Sequence, residues 1–133
     1  MAITWRVLHP ERLVLATAKA QVTAADLLYC MDELTKAGLH AYRKVFDFTL
    51  IAQVMPRAEV QLIGERTAAI SGGVRFGPMA IVVASNAIAG SVRTYEQATA
   101  LKRPFQIFRD FPSARAWLDE MAPADKIPPL DED

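Results

Sequence analysis

The sequence predicts an α/β domain: a mostly parallel five-stranded sheet with helices packed on it, in the order ββαβαβαβα. Three observations carry that prediction. Lys44–Leu50 (Lys-Val-Phe-Asp-Phe-Thr-Leu) and Met79–Ala84 are short apolar runs of the length and composition of strands covered on both faces. The stretches after Thr23, Pro56, Ser85 and Asp110 place apolar residues at helical spacing. Strands and helices then alternate, which implies parallel pairing through right-handed crossovers.

Taken in order, Ile3–Leu8 alternates as a strand and is closed by His9-Pro10. Glu11-Arg12 supplies the turn, and Leu13–Ala18 resumes β character, so the two runs form an antiparallel hairpin. Thr23 is an N-cap with Asp26 three residues on, the capping-box spacing. Leu27, Met31 and Leu34 mark the apolar face of the first helix, and Gly38 ends it. Lys44–Leu50 is the central strand, with Asp47 and Thr49 near its C-terminal end, and Ile51–Met55 is a connection. Pro56 suits the first turn of a second helix whose stripe is Val60, Ile63, Thr67 and Ile70, stopped by Ser71-Gly72-Gly73. Ser85 or Asn86 caps a third helix with Ile88, Val92 and Tyr95 on one face, and Pro104 ends it. Phe105–Phe108 is a last short strand. Asp110 opens a last helix on which Ala114, Trp117, Leu118 and Met121 face inward.

A chain of 133 residues suits one domain, here residues 1–122, followed by a Pro- and Asp-rich stretch, 123–133, that reads as a disordered tail. Apolar residues make up 52% and charged ones 23%, a globular balance. Fifteen basic residues meet fifteen acidic ones, so nothing favours nucleic acid as a partner. Zero net charge does favour self-association, and a homodimer is expected. One cysteine, Cys30, excludes an intrachain disulfide, and no apolar run is long enough to span a membrane. The start, Met1–Pro10, lacks the apolar core of a signal peptide, so a cytoplasmic location is expected.

The hairpin broken by His9-Pro10, the Thr23/Asp26 helix entry, the strand Val45-Phe46-Asp47-Phe48, and Met79–Ala84 followed by Ile107-Phe108-Arg109-Asp110 and Ala116-Trp117-Leu118 come in a telling order. Together, from Ile3 to Met121, they resemble the SpoIIAA-like branch of the STAS fold, found in sulfate transporters and bacterial anti-sigma-factor antagonists. The resemblance implies a non-enzymatic, protein-interacting regulatory module. It also implies a phosphorylatable serine at the start of the helix after the central strand. That region here is Gln53-Val54-Met55-Pro56-Arg57, with no hydroxyl, and the nearest is Thr49, so the usual switch is not expected. The later strands and helices also resemble lipid-carrying domains, which makes a small apolar ligand the alternative expectation. A cavity lined by Val60, Ile63, Ile88 and Val92 would favour the ligand, and tight packing there the interaction module.

In open α/β sheets ligands gather at the C-terminal edge of the strands. That edge brings forward Asp47, Thr49, Arg57, Ser85, Asn86 and Arg109 as a candidate recognition or ligand site, although caps gather there in any case. Asp47 lies between two phenylalanines, but these point to the opposite face of the strand and no histidine is near it in sequence. No catalytic residues are expected, and no cofactor. His9 and His40 lack metal-ligand spacing, and the glycines from Gly72 to Gly77 match no phosphate-binding pattern.

Overall fold

The computed structural model describes residues 2–70, 76–100 and 103–130. Its elements are β1 (Ile3–Leu8), β2 (Leu13–Ala20), α1 (Ala24–Lys36), β3 (Arg43–Ile51), α2 (Arg57–Ile70), β4 (Met79–Val82), α3 (Asn86–Thr99), β5 (Phe105–Phe108) and α4 (Phe111–Met121). The strands lie side by side in the order β1-β2-β3-β4-β5, with β1 antiparallel to β2 and every other pair parallel. The α/β class and the mostly parallel five-stranded sheet agree with the sequence expectation. The expected Ser71-Gly72-Gly73 stop lies outside the described residues.

Each parallel crossover steps one strand in the same direction. Right-handed connections therefore place α1, α2 and α3 on one face, while α4 folds back over the other, onto β3, β4 and β5. Two cores result. The larger joins Val14, Ala16, Phe46, Ile81 and Val83 to Cys30 and Leu34 of α1 and Ile88, Ala89 and Val92 of α3. The smaller joins Leu13, Val45, Ala80 and Val82 to Ala114 and Leu118 of α4. Alternate residues of one strand divide between them, as the pleat requires.

Local signals act where the sequence places them. Thr23 accepts from the Asp26 amide at 3.1 Å, and the Asp26 carboxylate accepts from the Thr23 amide at 2.9 Å, completing the capping box. At the other end of α1, Gly38 adopts φ +77°. The Leu39 amide donates to the Leu34 carbonyl and the Gly38 amide to that of Thr35, a Schellman ending. Ser85 and Asp110 cap α3 and α4 by accepting from Ile88 and Ser113 amides.

The expected disordered tail is a correction. Residues 123–130 are docked: Ala124–Lys126 forms a turn of 3-10 helix, and Ile127 is buried in the larger core with Leu130 packed beside it. Arg12, in the β1–β2 turn, donates to the carbonyls of Ala124 and Ile127 at 3.1 and 2.9 Å. Two apolar side chains among prolines and acids have no periodicity, which is why the sequence alone does not reveal the docking. Residues 131–133 lie outside the described part.

β3 opens with two buried basic side chains on opposite faces. Arg43 meets α4, whereas Lys44 lies under the larger core and its Nζ donates to the carbonyls of His40 and Tyr42 at 2.8 and 2.9 Å. Burial pushes the Lys44 pKa well below the usual lysine value, and the nearby Arg103 charge adds to this. A lowered folded-state pKa means that the unfolded chain binds the extra proton between the two values, so stability rises with pH there. Burial also pushes the Cys30 thiol up to about 12, which acts in the opposite direction, but only above its ordinary 9.0. As pH rises toward 9 the protein is thus expected to gain stability, by no more than about 1.4 kcal/mol per pH unit. In Lys44→Met that slope should flatten. Denaturant midpoints across this range decide it, and an unchanged slope in the variant would assign the effect elsewhere.

Candidate functional site

The larger core is not filled. Between α1, α2, α3 and the sheet lies a cavity of about 80 Å³. Leu27 and Met31 of α1 form one wall, and Val60 and Ile63 of α2 with Ile88, Ser91, Val92 and Tyr95 of α3 form the other. Its floor is the sheet: Phe46, Phe48 and Ile51 of β3, and Met79 and Ile81 of β4. Val22, Gln53 and Met55 complete the lining, and Gln53, exposed to solvent, marks the mouth at the C-terminal edge of the sheet. All four residues singled out from the sequence as diagnostic, Val60, Ile63, Ile88 and Val92, line it.

Two features of the backbone shape this space. At Gly64 α2 approaches α3 closely, since a Cβ there would stand 2.6 Å from the Ala98 Cβ and 3.1 Å from the Tyr95 carbonyl oxygen. The second is a register shift in the pairing of β2 with β3. Thr17 faces Asp47 but Lys19 faces Leu50, so β3 carries one extra residue between them. Simple alternation from Phe46 and Phe48 would turn Leu50 inward. The bulge turns Leu50 out, 56% exposed, and brings Ile51 to the cavity instead.

The same bulge explains Asp47. Its Oδ1 accepts from the Thr49 amide at 2.9 Å and from the Thr49 hydroxyl at 2.6 Å, satisfying an amide in the irregular part of the strand. Asp47 and Thr49 both sit within β3 and are half-buried, on the sheet side opposite Phe46 and the cavity. At the neighbouring strand ends, Arg109 donates to the Asn86 side-chain oxygen at 2.5 Å, both exposed, beside the Ser85 cap. Arg57 begins α2 and is exposed. The six polar residues thus form two separate pairs, Asp47–Thr49 and Asn86–Arg109, with Ser85 engaged as a cap, and none of the six lines the cavity.

Behind this almost wholly apolar lining lies one buried hydroxyl group. The Tyr95 ring lines the cavity while its hydroxyl is buried beside the Thr67 and Thr99 side chains. Burial raises the pKa of that hydroxyl above the ordinary tyrosine value. Met31 lies in a wall and Met79 in the floor, and Thr67 donates to the Met31 sulfur at 3.6 Å and to the Ile63 carbonyl at 2.8 Å.

Sequence reasoning missed the roles of Met31, Phe48, Ile51, Gln53, Met55 and Tyr95 as lining. The three methionines were the available signal, because flexible thioethers line adaptable apolar sites, but methionine is equally ordinary core filling. Among the described residues no group of three or more His, Cys, Asp or Glu is placed to hold a metal ion, and no helix is long and apolar enough to cross a membrane. Compared with protein-family models, with curated proteins and with solved structures, the chain matches none, so its function is argued from this geometry.

Proposed function

We infer that the chain is a non-catalytic binding module for a small apolar ligand, received in the cavity between the helices and the sheet. The observation that carries this reading is the cavity itself. Water in an apolar space lacks hydrogen-bond partners, and burying an apolar ligand there is favourable. At about 80 Å³ it is roughly half the size of an apolar cavity of about 150 Å³ that accepts benzene. A short alkyl chain or part of a ring fits, with the remainder of the molecule at the Gln53 mouth. Met31, Met55 and Met79 are side chains that can repack around a larger guest.

A second reading keeps the resemblance to SpoIIAA-like STAS domains. The element order and the strand order, with only the first pair antiparallel, support such an architecture. In that reading the C-terminal edge is a protein-recognition surface, and what supports it is that Leu50 and Val54, on the stretch leading to the exposed Arg57, are both more than half exposed. A homodimer belongs to the same reading.

Native mass spectrometry of freshly purified protein, set against its denatured mass, separates the two. Ligand binding is expected to show as added mass that disappears on denaturation, and to be reduced in Val60→Phe, which fills the cavity. A clean dimer without added mass would favour the recognition surface instead.

A further inference from the structure

The lining of the cavity is of one chemical kind almost to its mouth. Among the described residues that line it, none is Asp, Glu, Lys, Arg or His. Lys44 shares the sheet face of Phe46, but its Nζ is engaged by the His40 and Tyr42 carbonyls and its side chain is not part of the lining. Asp47 lies on the other side of the sheet, bonded to Thr49. Three lining residues have polar side chains. Tyr95 contributes its ring, with the hydroxyl behind it beside Thr67 and Thr99, and the Ser91 hydroxyl donates to the Ala87 carbonyl of its own helix at 3.4 Å. Gln53 is the third, exposed at the mouth, and its amide can both donate and accept.

Interior and mouth therefore make different demands on one molecule. An ionised group drawn inside loses its hydration and meets no counter-charge, a cost that burial of a few methylenes does not offset. A hydrocarbon end enters favourably. At about 80 Å³ the space holds only a few carbons, so a polar group on the same chain stays at the level of Gln53.

On the reading of the cavity given above, we propose that its ligand is an uncharged, short-chain molecule with one polar group, such as an alcohol or an ester, bound tail first. Its alkyl end lies between Phe46 of the floor and Ile63 and Val92 of the walls, and its polar group exchanges hydrogen bonds with the Gln53 amide. The carboxylate and ammonium ions of the same chain length are disfavoured, because the mouth partly desolvates the head and no lining group neutralises it.

Methionine methyl NMR of the intact protein supplies the readout. Met31, Met55 and Met79 line the cavity, whereas Met121 is exposed on α4, on the other side of the sheet, and serves as the internal control. The probes 1-pentanol, pentanoate and pentylammonium share a chain and differ in the charge of the head. 1-Pentanol is expected to shift the three lining methyls, to leave Met121 in place, and to bind about tenfold or more tightly than either ion. From 1-propanol upward, each methylene that the cavity can take should tighten binding about fourfold, the equivalent of about 0.8 kcal/mol per buried CH₂, and the gain should stop once the space is full. Pentanoate or pentylammonium binding as tightly as 1-pentanol, with the same three methyls shifted, would overturn the uncharged ligand while leaving the cavity reading intact. Failure of all three probes to shift those methyls would overturn the cavity reading, and the proposal with it.

Discussion

Replacing Arg43 with alanine is expected to destabilise the fold by about 3–4 kcal/mol, the largest effect anticipated for a single side chain here. Arg43 is 1% exposed, yet it is a cation. It donates to Asp119 Oδ1 of α4 at 2.8 Å and to the Glu11 carbonyl of the β1–β2 turn at 2.8 Å, and so joins three parts of the chain. Its backbone amide also donates to the Arg12 carbonyl. The cost of Arg43→Ala arises from the space left by the long stem, and from the Glu11 carbonyl losing its donor.

Asp119 contributes less, because its side chain is 54% exposed and water can solvate it once the arginine is gone. The hydrogen bond from Arg43 holds the Asp119 carboxyl below the usual range, and Arg115 adds to this. A depressed carboxylate pKa stabilises above the unfolded-state value, and that contribution is lost as pH falls through the folded-state value. Asp119→Asn is therefore expected to cost no more than about 1 kcal/mol near neutral pH. Arg43→Met, which refills the space, should fall between the two. Denaturant midpoints of the three variants give the order directly. If Asp119→Asn proved as costly as Arg43→Ala, the ion pair rather than the buried stem would be the dominant interaction.

The second large effect is at Gly64. A valine there drives a branched side chain into α3, where the Ala98 Cβ and the backbone at Tyr95 and Thr99 already stand within about 3 Å of a modest Cβ. The expected loss is about 2–3 kcal/mol, the usual range for overpacking. Gly64→Ala meets the same Ala98 contact, but alanine favours a helix by about 1 kcal/mol over glycine, so its net cost should be smaller. The two helices carry Ile63 and Tyr95 on either side of this crossing, and both line the cavity. Any variant that folds with the helices spread should therefore also change ligand affinity. Thermal unfolding together with native mass spectrometry of any retained ligand reads both consequences. Unchanged stability in Gly64→Val would mean that α2 and α3 separate freely at this point.

Much of the fold was legible because its signals are local. Thr23 with Asp26, Gly38 after Lys36, and Asp110 before Ser113 each act within a few residues, and each is found in the expected role. The apolar runs around Phe46 and Ile81 sit at the sheet centre, where a strand covered on both faces must be apolar throughout. The candidate site was legible only in part. The helix stripe residues Val60, Ile63, Ile88 and Val92 were readable as inward-facing, since period and burial go together. Whether their side chains meet or leave a gap depends on how closely α2 approaches α3, and a contact between Gly64 and Ala98 leaves no periodic trace.

The polar edge shows the reverse case. Asp47 looked like a recognition residue because an acid in an apolar strand is conspicuous, but its carboxylate is engaged by Thr49 two residues on. The reason is the extra residue in β3, which depends on pairing with β2 and so lies outside any local pattern. Tyr95 was readable as part of the inward face of α3 beside Ile88 and Val92, but that it lines a cavity with Met79 of β4 is set only by folding.

By itself, then, the sequence determined the element order, the parallel sheet and the inward faces of the helices, because periodicity, caps and strand composition are set by neighbours along the chain. The tertiary structure alone decided the cavity, the bulge that turns Ile51 toward it, the docked segment around Ile127 and the burial of Arg43 and Lys44 on opposite faces of β3. Each of these depends on distances between residues remote in sequence, where packing geometry and the satisfaction of buried polar groups outweigh local preference.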